Sequence, residues 1–574
     1  MVVSLAAEQT GRRRRRLDPP GLVALVLGLV GIGYRLVLLL LTVPGSNSDE
    51  ATFGLAAAHI ATGRRWPIFL YGQHYMGVVE SYLAAPLFAA FEPNWVLLRL
   101  PLLLLYAAFV YLMYRLTRRL YSPWLATLVV GFLALGSERV VRDQMTAVGG
   151  RPEVKPAVAL LLLIALALGE HRISRRRWLC FGAFGLLTGL CVWDDWLILP
   201  YLAVAAIVLL VGCARELFGW AGLLLIGGFV LGVLPLIVDN LTAPPGQDSL
   251  SVLSQVSAGE GGQTSAVDQL HGSVLVGIPL ATGICLSTYC TGWQMAWGAL
   301  YPVLLLIAAA LAVAGLRRPS PTRPGPAPTD AGPGRHAADS SPIARRMRYV
   351  AQLALLVGAA LTLAGYARSS LAASAPLASA RYLSILQLSL PAVLWPLWLA
   401  ARRVRKGPLL SDSVVQGALP NRRGVVARAG GVVAGGVVAT LLGTMVYTTV
   451  DLITEVPTIR AEERQSQQLA TVLRRAGIRH VYADYWTCNR LIFNSRERVL
   501  CAVLGDSLRP GQDRYPAYPR QVNTADRPAF VFTLHEPANL AFRNLLRDRG
   551  VTARTIEFGE YRIYQPSVTL RPLP

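Results

Sequence analysis

The chain has 574 residues, of which 53% are hydrophobic and only 15% charged, with a mean hydropathy of +0.44. Soluble domains carry about 25% charged residues, so an ordinary water-soluble globule is excluded and a polytopic membrane protein is expected. The net charge of +22 does not indicate nucleic acid, because the arginines stand at the ends of apolar runs, where the positive-inside rule places them.

The N-terminus carries Arg12 to Arg16 and then an apolar run from Leu22 to about Val43. A run of about twenty apolar residues matches the hydrocarbon thickness and is too long for the core of a signal peptide. It reads as an uncleaved first span behind a basic cytoplasmic tail, residues 1–20. Arginine-rich and arginine-poor loops then alternate, which orients further spans at about 95–114, 123–136, 156–169, 178–193, 196–213, 219–238, 295–315, 348–366, 383–400 and 425–449. The total is about eleven transmembrane helices over residues 21–449. A polar loop from Asp239 to about Gly272 has no apolar periodicity and reads as disordered or as a lid. The apolar patch 273–290 fits a re-entrant or surface-lying segment, and residues 317–346 form a Pro-rich cytoplasmic linker.

Residues 450–574 change texture and read as a small extracytoplasmic α/β domain. TIRAEERQSQQLATVLRRAG has helical periodicity closing at Gly477, and HVYADYW alternates as a strand. AFVFTLH and YRIYQ read as further strands, with the helix LAFRNLLRDRG between them and Gly550 at its end. Cys180, Cys191 and Cys213 fall inside spans as buried thiols, whereas Cys285 with Cys290 and Cys488 with Cys501 lie on the oxidising side, where each pair is able to form a disulfide.

The chemistry gathers on the outer face. No phosphate-binding loop, HExxH helix or Gly-x-Ser-x-Gly elbow is present, so nucleotide-driven pumps, zinc proteases and serine hydrolases lack their signals. An enzyme working outside the cell has no supply of nucleotide-activated substrate, so its donor would be lipid-borne. The first outer loop, residues 44–94, holds Asp49, Glu50, Tyr71, Gln73, His74 and Glu80. Asp49 and Glu50 are adjacent and diverge by about 100° on a helix, so one can face a pocket while the other supports it; the same pair also suits a helix N-terminus. The loop between the third and fourth spans places Arg139, Arg142, Arg151 and Lys155 on the side where positive charge is disfavoured, and Arg368 and Arg381 repeat the violation. A bound lipid phosphate explains such arginines, as do salt bridges with Glu138, Asp143 and Glu153. Asp194 and Asp195, flanked by tryptophans, read as a tight outer turn. His74, without evident partners, reads as structural, as a donor to phosphate, or as a metal ligand.

The acidic pair after the first span, the strings YGQHYMGVVESYLAA and GGRPEV, ARYLSILQLSLPAVLW near the end, and YADYWTCNRLIFNSRERVLCAVL with DRYPAYPRQV in the tail resemble bacterial GT-C membrane glycosyltransferases. The similarity is to the group related to protein O-mannosyltransferases and the lipid A aminoarabinose transferase, family 39-like. It implies a GT-C core in the bacterial plasma membrane with a cytoplasmic N-terminus, a polyprenyl-phosphate sugar donor, and a protein, lipid or cell-wall glycan as acceptor. It implies inverting transfer of a hexosyl or pentosyl group with Asp49 as general base and Glu50 beside it, and donor phosphate held by Arg142, Arg151, Lys155 or Arg381. Tyr71, Gln73, His74 and Glu80 are then candidates for substrate binding. A divalent metal near Asp49, Glu50 or His74 is open, since some relatives use one. The sequence departs from the pattern at His74, where a small residue is expected, and in its long Pro-rich linker. Two other classes remain: a flippase for a lipid-linked saccharide, and a noncatalytic glycan-binding subunit in which the acidic pair only caps a helix.

Overall fold

The computed structural model describes residues 18–173, 175–259, 264–318, 341–405 and 422–573. The arginine run Arg12 to Arg16 and most of the Pro-rich linker lie outside them. Each of the eleven expected spans falls on helix. Among the described residues, eight helices are long and apolar enough to cross a membrane, and the pair Pro123–Ala134 and Glu138–Met145, bent by 93°, makes a ninth. The remaining two, Val154–Gly169 and Arg177–Asp194, are 16 and 18 residues long. The protein is a multi-pass membrane protein.

Small residues allow two of these helices to approach closely. Gly185 and Gly189 on one face the backbone of Trp220–Thr242, where a Cβ at either glycine would stand 2.0 and 2.3 Å from the carbonyl oxygens of Leu225 and Phe229. Gly228 and Gly232 return the same fit, so the pair locks through two Gly-x-x-x-Gly stripes.

The bend after Pro123–Ala134 strands the last carbonyls of that helix inside the apolar bundle. Arg35, fully buried in the first span Pro19–Leu40, meets them: it donates to Ala134 O at 2.8 Å and to Leu133 O at 3.2 Å, and to Gln144 Oε1 at 2.9 Å. Its guanidinium also stacks 4.1 Å from the centre of the Tyr106 ring. The arginine therefore fixes the bend and aims Glu138–Met145 across the end of the bundle.

The polar loop after Asp239 is more ordered than its composition suggests, with a helix over Ser249–Gly259. A short helix Ala266–Leu270 leads into the apolar patch, which forms His271–Gly277 and Ile278–Ala281 and ends in the disulfide Cys285–Cys290.

The last span does not end near residue 450. One helix runs over Arg422–Arg475, 54 residues with Pro457 inside, and carries the chain from the bundle into the terminal domain. The domain sheet has strands β1 His480–Ala483, β2 Leu500–Val503, β3 Ala529–Thr533, β4 Ala553–Phe558 and β5 Tyr561–Pro566, in the order β2-β1-β3-β5-β4. The first three are parallel and the last two antiparallel. The expected strand HVYADYW stops at Ala483, because Asp484 turns to cap a helix, accepting from the amides of Trp486 and Thr487 at 2.7 and 3.1 Å. Cys488 and Cys501 are bonded, tying that helix to β2. Phe53, Phe69, Leu98 and Trp193 of the membrane part share one apolar core with Val481, Phe493 and Ile563 of the domain. The domain is packed directly on the first loop.

Candidate active site

The first loop begins with the helix Ser48–Ala61, capped by Asn47, whose side chain accepts from the Glu50 amide at 2.8 Å. This helix lies against the domain helix Tyr485–Asn494. Asn489 Nδ2 donates to Ser48 Oγ at 2.9 Å, Ser48 Oγ donates to Tyr485 O, and a Cβ at Gly54 would stand 2.6 Å from the Phe493 ring. Ser46, just upstream, donates to Glu463 of the long helix at 2.8 Å, and Arg490 bonds to both. The helix N-terminus that carries the acidic pair is thus held from the domain side.

Asp49 stands where the first loop meets the domain. Its Oδ1 accepts from the Tyr485 hydroxyl and from Arg514 at 2.8 Å, while Oδ2 has no hydrogen bond among the described residues. The side chain is 29% exposed, so one oxygen edge stays open. Tyr485 follows the carboxyl end of β1 and Arg514 the loop after β2, where ligand sites gather in α/β sheets. Burial, then the Asp49 charge, push the Tyr485 hydroxyl well above its ordinary value, so it stays a neutral donor.

Glu50 has the opposite setting. It is fully buried, and both its oxygens are taken by Arg99, at 2.7 and 2.6 Å; Arg99 also donates to Pro44 O at 2.8 Å. Neither oxygen is open to a substrate.

The candidate phosphate-binding cations divide. Arg142 donates to Glu138 at 2.6 Å and to Gly45 O at 3.0 Å, which is the salt-bridge arrangement. Arg151, Lys155 and Arg381 line one cavity with Asp195, Tyr382 and Ser384. Arg151 is paired with Asp143 at 3.2 Å, but Lys155 is 1% exposed and its Nζ has no partner.

The other loop residues are placed apart from Asp49 Oδ2. Tyr71 bonds to His59 Nδ1 at 2.7 Å, Gln73 reaches the Tyr75 hydroxyl at 3.5 Å, and His74 stands 3.7 Å from Asp239. Glu80 is fully buried with Glu153 and Asp194. The chain does turn tightly at Asp194 and Asp195, but Asp194 is buried at 1% exposure rather than solvated, and the neighbouring Trp193 donates to Ile68 O at 3.1 Å under the first loop. Asp49, Glu50 and His74 do not form a metal-ligand group among the described residues.

His59 and Glu497 seal the loop to the domain. His59 Nε2 lies 3.0 Å from Glu497 Oε1, Arg64 pairs with the other oxygen, and Tyr518 donates to Oε1 at 2.9 Å. Burial alone would raise the Glu497 carboxyl, but His59 and Arg64 outweigh it and hold it at about 2. A carboxyl depressed on folding contributes stability that is complete above its unfolded value of about 4.3 and is lost as the pH falls towards the folded one. Proteolysis between pH 5 and pH 2 is expected to show wild type losing this docking step, and Glu497→Gln to lack it, with stability at pH 7 lower by about 1–2 kcal/mol.

No family model matches the sequence, and no curated protein matches it. Solved structures do match. ArnT from Cupriavidus metallidurans, bound to undecaprenyl phosphate, superposes with a TM-score of 0.58 at 14% identity, covering 97% of this chain and 100% of that one. The same protein in the apo state gives 0.51 at 13% identity, over 95% and 98% of the two chains. An oligosaccharyltransferase from Archaeoglobus fulgidus gives 0.47 at 12% identity, over 96% and 75%. From its first span to its terminal sheet, the chain has the fold of the ArnT structures.

Proposed function

We propose that the protein is an inverting glycosyltransferase that moves a sugar from a polyprenyl-phosphate donor to an acceptor hydroxyl on the extracytoplasmic face of a bacterial plasma membrane. The observation that carries this reading is the cavity lined by Arg151, Lys155 and Arg381, in which Lys155 is buried and its Nζ has no hydrogen-bond partner. A buried ammonium is costly unless an anion meets it, and a donor phosphate is such an anion. The undecaprenyl phosphate bound to ArnT supports the same class of donor.

In this reading Asp49 Oδ2 takes the proton of the acceptor hydroxyl, whose oxygen forms the new bond to the anomeric carbon. The bond from that carbon to the phosphate oxygen breaks, and polyprenyl phosphate leaves with its electron pair towards the three cations. Tyr485 and Arg514 hold Asp49 by its other oxygen and fix its direction. Glu50 acts as a positioning residue through Arg99. A cation at Asp49 does not fit, since the oxygens of Glu50 are occupied and Asp49 already carries Arg514. The departing charge is met by side-chain cations instead.

Transfer from a panel of radiolabelled polyprenyl-phosphate hexoses and pentoses to cell-envelope acceptors tests the class and identifies the sugar. With the active donor, Lys155→Met is expected to raise the donor KM about 10- to 100-fold, the loss of ~1.5–3 kcal/mol from a hydrogen bond between charged groups. The same variant should melt higher than wild type without donor, because it removes a buried ammonium that has no hydrogen-bond partner. An unchanged donor KM would overturn the assignment of the cavity.

A further inference from the structure

Three carboxylates from three separate loops meet beneath the donor cavity. Glu80 opens the helix Val79–Ala90, Glu153 precedes Val154–Gly169, and Asp194 ends Arg177–Asp194. One oxygen of each lies within 4.8 Å of the others, and their residues are 0%, 9% and 1% exposed.

The two glutamates are oriented by backbone. Gly149 and Gly150 adopt left-handed φ of +74° and +70°, which turns successive amides towards the carboxylates. Glu80 Oε1 accepts from Gly149 at 2.8 Å and Val148 at 3.3 Å, and Glu153 Oε1 accepts from Gly150 at 3.0 Å. Each glutamate is thereby clamped by one oxygen, while Glu80 Oε2, Glu153 Oε2 and both oxygens of Asp194 are buried and reached by no protein donor. Asp194 is the decisive group, a buried carboxyl that meets no amide, hydroxyl or cation and has only the Glu153 carboxyl against it. Like charges at this spacing repel strongly in a buried setting.

We propose that Glu80, Glu153 and Asp194 form a binding site for one hard divalent cation, with calcium as the best fit. Two oxygens on a shell of about 2.4 Å radius are at most ~4.8 Å apart, and the three oxygens here all lie within 4.8 Å of one another. Calcium accepts an all-protein oxygen set of flexible geometry, whereas magnesium demands a smaller octahedral shell and retains several waters. Amide donors on the non-ligating oxygens supply the outer support that orients metal ligands. The site is separate from Asp49 and its role is positional. It cross-links the first loop to the segment carrying Arg151 and Lys155 and to Asp194, next to Asp195 in the donor cavity.

The test uses the full chain in nanodiscs, stripped with EDTA and incubated with calcium, magnesium or manganese. After desalting, bound metal is counted by elemental analysis and the melting midpoint is followed by intrinsic fluorescence; neither measurement depends on sugar transfer. About one equivalent of calcium per chain, with a higher midpoint than the stripped protein, is expected. Asp49→Asn should retain that equivalent and Asp194→Asn should lose it and melt lower. Wild type that binds no metal and melts identically with EDTA or calcium would overturn the proposal, as would an equivalent lost in Asp49→Asn but kept in Asp194→Asn. A higher midpoint for Asp194→Asn at unchanged metal content would assign the cluster to shared protons instead. Should Asp194→Asn not fold, the wild-type count and midpoint decide.

Discussion

Asp49→Asn is expected to fold, insert and bind donor as wild type does, and to transfer sugar about 10²–10⁴-fold more slowly, the usual contribution of a general base. The amide retains an Oδ1 able to accept from Tyr485 and Arg514, so the cleft keeps its shape. What it loses is the open oxygen that receives a proton. A kcat that falls with an unchanged donor KM is the pattern of an interaction made only in the transition state. Transfer at the wild-type rate would remove Asp49 as the base, and a binding subunit or a flippase would tolerate the change.

Glu50→Gln is expected to fail differently. Arg99 is 0% exposed, and after the substitution it would be left as a buried guanidinium with no carboxylate bonded to it. Removing one partner of a buried pair costs about 3–5 kcal/mol, a large part of the stability of most domains. The measurement is the melting midpoint and the yield of monodisperse protein. A well-folded Glu50→Gln with low kcat would instead bring Glu50 into the chemistry. Two adjacent carboxylates thus separate by mechanism of failure, one kinetic and one structural, because a helix turns them about 100° apart.

Hydropathy places the spans well because the requirement it reads, about twenty apolar residues per crossing, is local. The wrong-sided charges Arg151, Lys155 and Arg381 were likewise legible one loop at a time, and the structure gathers them around one cavity. Arg142 belongs to the same pattern but is satisfied by Glu138 four residues earlier. What the sequence does not display is who meets whom. Arg514 lies 465 positions from Asp49 and Tyr485 436, and their strings carry no mark of the first loop. A signal did exist for Arg35 and Arg99. Each interrupts an apolar run, and an ionisable residue inside a span is functional or paired by default. Asp194 carried a weaker one, since a carboxylate beside tryptophans suits an interfacial turn as well as a buried cluster.

The helix Arg422–Arg475 has a consequence for phase. At about 1.5 Å and 100° per residue, a continuous rod couples the rotational setting of the last span to that of everything mounted beyond it. One residue inserted between the bundle contact at Thr449 and the Ser46 contact at Glu463 would swing the domain through about 100° while lifting it by only ~1.5 Å. Tyr485 and Arg514 would then face away from Asp49. Chain length in this stretch is therefore constrained by angle rather than by reach, as in a keyed shaft, and the cleft is timed to the membrane anchor turn by turn.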